Sequence, residues 1–152
     1  MPKPITFVCE QELSIPPMAV FEKMRDVSTW STFDGYLLLP GIEQAEYEVE
    51  TAEIAGSVIR LHNSDGSTHT ETIVEWTVPN RIVLRLGEFS PPLNRLATHF
   101  DETWTFEERA GRSFARREFA MYAKSAAAKI PLFLISYMMR RAVAAHFKKI
   151  AQ

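Results

Sequence analysis

The chain has 152 residues, 46% of them hydrophobic and 24% charged, with 17 basic side chains against 19 acidic ones for a net charge of −2. This balance excludes a disordered chain and a nucleic-acid binder driven by bulk positive charge. The single cysteine, Cys9, excludes an internal disulfide framework and a multi-cysteine metal site. Length alone predicts one domain over residues 1–152, large enough to bury a full core. No apolar run is long enough to span a bilayer, and Met1-Pro2-Lys3-Pro4 lacks the apolar stretch of a signal peptide, so a cytoplasmic location is expected.

Residues 5–13 alternate, with Ile5, Phe7, Cys9, Gln11 and Leu13 on one face, and predict a half-buried strand. Pro16-Pro17 ends it and opens a short helix carrying Val20, Phe21 and Met24 at helical spacing. A second short helix is predicted over 27–33, with Trp30 and Phe33 three apart, before a loop marked by Gly35 and Pro40-Gly41.

A succession of strands follows. In 43–51, Ala45, Tyr47, Val49 and Thr51 alternate with Glu46, Glu48 and Glu50. Strands at 57–62 and 68–76 flank Asp65-Gly66, a hairpin signal. A two-residue turn there sets Arg60 opposite Glu71 and His62 opposite His69 on the wet side. It sets Ile59 opposite Thr72 and Leu61 opposite Thr70 on the dry side. Residues 81–89 point Ile82, Leu84 and Leu86 inward, and 90–99, with Pro91-Pro92, read as a long loop. Strand 100–107 places Phe100, Glu102, Trp104 and Phe106 on one face. A four-residue loop at 108–111 then pairs Glu107 with Arg112, Trp104 with Ala115, Glu102 with Arg117 and Phe100 with Phe119. The tail, about 126–151, predicts one long helix with an apolar stripe of Ile135, Met139, Ala142, Val143 and Ile150, and with Arg140, Arg141, Lys148 and Lys149 as polar positions. Residues 130–139 are apolar nearly all round, which requires burial on more than one side or contact with a partner or ligand.

The expected architecture is α+β: a curved antiparallel sheet of about seven strands, two short helices after the first, and a long helix covering the dry face. This order resembles the helix-grip fold of the START-like, birch-pollen-allergen-like superfamily, and within it the bacterial polyketide cyclase/dehydrase and lipid-transport-like branch. The resemblance rests on Leu13-Ser14-Ile15-Pro16-Pro17-Met18-Ala19-Val20-Phe21, the Asp26-to-Trp30 step, Gly56-Ser57-Val58-Ile59-Arg60, and Trp104-Thr105-Phe106 followed by Arg116-Arg117. It covers about residues 5–150. It implies a cavity between sheet and long helix, but no shared catalytic motif.

The strand faces assign Tyr47, Ile59, Leu61, Thr72, Trp76, Leu84, Leu86, Phe100, Glu102, Trp104, Arg117, Phe119 and Met121 to the cavity wall, with Tyr137 from the helix. Phe7, Cys9, Val49, Thr70 and Val74 share those faces, and Phe133, Ser136 and Met138 are further helix positions. A mostly apolar wall with a few polar points is the composition of a small-molecule pocket.

Glu102 and Arg117 are open to two roles: holding a ligand's polar group or a water for acid/base work, or forming an inert structural ion pair. His99, at the predicted loop, is a candidate base or an ordinary exposed residue. His62 and His69, as cross-strand neighbours on the wet face, lack a third ligand, and no metal or cofactor is expected. His146 is assigned a structural place on the helix, and Cys9 that of a small buried hydrophobe. The expected partner is a hydrophobic or amphipathic small molecule such as a lipid, polyketide or quinone, with no nucleic acid. The competing readings are a cyclase or dehydratase using Glu102 or His99, and a protein-interaction cofactor using 130–139. The basic helix makes membrane contact a further option, against a solvated face. Oligomeric state is not legible.

Overall fold

The structure, a computed structural model, describes residues 3–152. Strand β1 (Ile5–Glu12) leads through Pro16 and Pro17 into helix α1 (Pro17–Arg25) and a 3-10 helix (Val27–Thr32). Strands β2 (Ile42–Val49), β3 (Val58–Asn63), β4 (Thr68–Thr77), β5 (Arg81–Gly87), β6 (Ala97–Arg109) and β7 (Arg112–Ala123) follow, and helix α2 (Lys129–Ile150) closes the chain. All seven strands form one antiparallel sheet in the order β1-β7-β6-β5-β4-β3-β2. This is the expected α+β helix-grip arrangement.

Local chemistry explains the connections. Pro17 sits at the start of α1, where its missing N–H costs nothing. Asp26 caps the 3-10 helix by accepting from the Ser28 N–H at 3.2 Å. The indole of Trp30 donates to the Met24 carbonyl at 3.1 Å, locking the two short helices together. Ser125 Oγ accepts from the Ala128 N–H at 3.1 Å just before α2.

Two hairpins depart from the expected registers. Between β3 and β4 the loop has three residues rather than two. Gly66, at φ +86°, donates to the Asn63 carbonyl at 3.0 Å, and the Asn63 N–H reaches the Ser67 carbonyl at 2.9 Å. This is a turn closed by a left-handed glycine and a bulge. Asp65 Oδ1 braces it by accepting from the Ser67 N–H at 2.9 Å. The pairing slips by one residue, so Ile59 lies opposite Glu71 and Leu61 opposite His69. A one-residue slip turns a strand over. Glu71 and Ile73 are buried inward, whereas Thr72 is turned away from the cavity and Val74 is exposed. His62 is opposite Thr68, on the face away from His69. A bulge between Ile73 and Glu75 restores Trp76 to the inner face, opposite Ile82.

Between β6 and β7 the turn has two residues, Ala110 and Gly111, at φ +52° and +75°. This mirror-image turn matches the twist of a hairpin. Arg109 therefore faces Arg112, and the register moves by two, placing Trp104 opposite Arg117, Glu102 opposite Phe119 and Phe100 opposite Met121. A shift of two keeps every side chain on its expected face. Strand β6 also starts at Ala97, so His99 lies in a strand rather than a loop.

The concave face is not filled evenly. Near α1, Phe21 packs between Trp76 and Phe106, with ring centroids 5.1 Å and 5.2 Å away. Trp104 is fully buried against Phe147 of α2 at 5.3 Å. Toward the start of α2 the face is left open.

Candidate ligand cavity

The open part is a cavity of about 390 Å³, inside the range of sites that hold drug-sized molecules. Leu84, Leu86, Phe100 and Phe119 form its sheet wall, and Ile135, Met138, Met139 and Val143 its helix wall. Phe89, Leu93 and Leu96 from the 90–96 segment, and Leu38 and Leu39 from the 36–39 turn, complete it. Six of the expected wall residues therefore meet here: Leu84, Leu86, Phe100, Glu102, Arg117 and Phe119.

The others lie elsewhere, each for a packing reason. Ile59 and Leu61 are fully buried in the core, beside Glu71 and His69 on the neighbouring strand. Thr72 is turned away by the register slip. Trp76 is taken up by Phe21, and Trp104 is covered by Phe147 and Arg117. Met121 is buried opposite Phe100. Tyr47 is pinned to the end of α1, its hydroxyl donating to the Arg25 carbonyl at 2.7 Å. Tyr137 does not line the cavity; it is half exposed beside Tyr36, their ring centroids 6.4 Å apart. His99 points away from the cavity and stacks on Tyr122 at 4.5 Å.

Two polar groups interrupt the apolar wall. The first is Glu102, Arg117 and His146. Arg117 Nε donates to Glu102 Oε2 at 2.6 Å, and its Nη1 lies 3.3 Å from His146 Nδ1. The guanidinium sits 4.3 Å over the Trp104 ring. All three residues are buried. Burial pushes the Glu102 carboxyl up, against the opposing pull of Arg117 and with a further push from Glu71. Burial, followed by the Arg117 charge, pushes His146 down to about 3. A neutral imidazole accepts from Arg117, which has only donors, so the Nδ1 lone pair is the contact. The Trp104 indole N–H stands beside Glu102 without reaching hydrogen-bond geometry, and is buried without a partner among the described residues.

The second group is Asn63, His69 and Glu71, all lining the cavity. Asn63 Nδ2 is 3.1 Å from His69 Nδ1, and His69 Nε2 is 3.2 Å from Glu71 Oε2. The amide nitrogen donates, so Nδ1 accepts and Nε2 carries the hydrogen given to Glu71. Sequence reasoning missed this group because it followed from the hairpin register. The only signal available was Asn63 ahead of Asp65-Gly66, which suits a three-residue loop as well as a two-residue one. Helical spacing does not show what lies across from a helix, so the sequence alone gives His146 only a structural place.

The curved sheet gripping a long helix over a cavity defines the class: a helix-grip protein. The family model described as polyketide cyclase / dehydrase and lipid transport matches residues 4–152, and the chain belongs to that family. Among solved structures, the chain is similar to the di-domain ARO/CYC BexL from the BE-7585A biosynthetic pathway, at 17% identity and a TM-score of 0.69, covering 98% of this chain and 50% of that one. It is similar to a protein from Arthrobacter aurescens, at 16% identity and a TM-score of 0.64, covering 91% and 81%. It also resembles the major latex-like protein 151 of Panax ginseng, at 13% identity and a TM-score of 0.64, covering 95% and 98%. At these identities the likeness is one of fold. No curated protein sequence matches the chain.

Proposed function

We propose that the chain binds a hydrophobic or amphipathic small molecule between the sheet and α2. The observation that carries this is a cavity of about 390 Å³ with aliphatic and phenyl walls and a buried Glu102–Arg117 pair on its floor. Apolar contact supplies affinity, at about 25 cal/mol per Å² removed from water. Arg117 and Glu102 orient the ligand's oxygen-bearing end. Family membership supports the reading. The test is binding of the apolar fluorophore anilinonaphthalene sulfonate. Leu86→Trp, which fills the cavity from its sheet wall, is expected to weaken binding at least about tenfold while the circular dichroism spectrum is kept. Equal binding by both proteins would overturn the assignment of the site.

A second reading, a cyclase or dehydratase, is favoured by one observation: two buried carboxylates, Glu71 and Glu102, line one cavity. Glu102 holds its proton more tightly than a free carboxyl does. In a dehydration it would give that proton to a departing hydroxyl, while Glu71, steadied by His69, takes the proton alpha to a carbonyl and water leaves. His99 has no place in this scheme. Turnover of a β-hydroxy ketone unaffected by Glu71→Gln and by Glu102→Gln would remove it.

A further inference from the structure

The strongest unexplained feature lies outside the cavity, around its mouth. Ile130, Phe133, Leu134 and Tyr137 of α2 are between 52% and 77% exposed. Their spacing gives one continuous apolar stripe. Beside it stands the 36–39 turn, whose ends pair through Tyr36 and Leu39. Its tip is Leu37 and Leu38, 78% and 84% exposed. Leu37 is held at φ +52°, where glycine or asparagine is usual. The two segments touch, with the Tyr36 and Tyr137 rings 6.4 Å apart and Arg141 5.3 Å over Tyr36. Leu38 and Leu134 also line the cavity, so the stripe and the turn tip form its rim. Six large apolar side chains around one opening are more than scattered surface hydrophobics.

Charge narrows the choice of partner. Residues 124–152 carry six basic side chains and no acidic one, in a chain whose net charge is −2. Arg140 and Arg141 follow directly on the apolar stripe, and both are exposed. Of the six basic side chains, Lys149 has a carboxylate partner, Asp34, among the described residues. A second copy of this chain would bring the same cations face to face across a two-fold axis. An anionic bilayer satisfies both features at once, with apolar side chains entering the acyl boundary and arginines meeting the headgroups.

We propose that the rim formed by Leu37, Leu38, Ile130, Phe133, Leu134 and Tyr137, with Arg140 and Arg141 behind it, docks the cavity mouth onto an anionic lipid surface. This opens the cavity toward the acyl layer rather than toward water. Docking does not depend on what the cavity holds, because Leu37 and Phe133 do not line it.

The test is co-sedimentation with vesicles of phosphatidylcholine alone and of phosphatidylcholine with phosphatidylserine. The wild-type chain is expected to pellet with the second and not the first, and to be released by salt. Leu37→Ser with Phe133→Ser is expected to weaken this at least about tenfold, and Arg140→Glu with Arg141→Glu by a similar factor. Fluorophore binding and the circular dichroism spectrum should be unchanged in the first double variant, which separates this proposal from the cavity reading. A wild-type chain left in the supernatant with both vesicles would overturn docking. So would vesicle binding that survives Leu37→Ser with Phe133→Ser. A dimer in analytical ultracentrifugation that the same substitutions dissolve, without vesicle binding, would reassign the face to self-association.

Discussion

The two ends of one concave sheet face are built from similar residues and end in opposite states. At the α1 end, large rings interlock: Phe21 between Trp76 and Phe106, and Trp104 against Phe147. At the end near the start of α2 the sheet offers Leu84, Leu86, Phe100 and Phe119; Phe89 packs on Phe100 at 4.8 Å, but Ile135, Met138, Met139 and Val143 of the helix leave a cavity between helix and sheet. Hydrophobicity is common to both ends, so it is not what makes a cavity. What differs is the reach of the cover.

The largest expected effect is at the filled end. Phe21→Ala removes a buried ring from between two others and should cost about 3–5 kcal/mol in urea unfolding. Leu86→Ala, beside space that is already open, should cost nearer 2 kcal/mol, the low end for such truncations. Equal costs would erase the distinction between the ends.

Next comes the buried ion pair. Arg117→Met leaves Glu102 unpaired in an apolar wall and should cost about 3–5 kcal/mol. Arg117→Met combined with Glu102→Leu should recover most of this, because the penalty comes from the stranded charge. A double variant as unstable as the single one would mean that packing under the guanidinium, on Trp104, dominates instead.

The smallest is a pH effect. His146 is held down to about 3 from 6.5, so folding excludes its proton. Its contribution is fully present above about pH 6.5 and is lost as the pH falls through that window toward 3. Between about pH 7 and pH 5 the wild type should lose about 2 kcal/mol from this group alone, and His146→Gln should remove that part of the slope. The raised Glu102 acts in the other direction: its contribution is present below the ordinary carboxyl range and is lost as the pH rises through its folded value. His146→Gln should therefore leave a loss of stability as the pH rises above the ordinary carboxyl range.

Most of the fold was legible because alternation and punctuation agree along the chain. Pro16-Pro17, the alternation in β6 and the long apolar stripe of α2 each specify one element. The inward faces of β5, β6 and β7 were legible too, since the β6–β7 turn moved by two residues and parity survived. The site was half legible for the same reason. Glu102 and Arg117 depend on parity alone, whereas Glu71 and His69 depend on whether Asp65-Gly66 closes a two- or three-residue loop. In β4 both registers bury an aliphatic residue, Ile73 or Val74, so the pattern cannot choose between them. Loop size, set by the left-handed Gly66 and the Asp65 brace, decided which side chains the cavity received. Tyr47 and Tyr137 lie outside it because aromatic side chains on a roughly correct face still go where their hydroxyls or neighbours hold them.

The central claim is that the sheet face near the start of α2 is open in order to hold a molecule. Native mass spectrometry of the purified chain, before and after extraction with organic solvent, tests it most directly. The account predicts an excess mass of one apolar or amphipathic compound that extraction removes, and its absence from Leu86→Trp. A chain that carries no added mass, and takes up none from an offered mixture of fatty acids, quinones and hydroxylated aromatics, would contradict it.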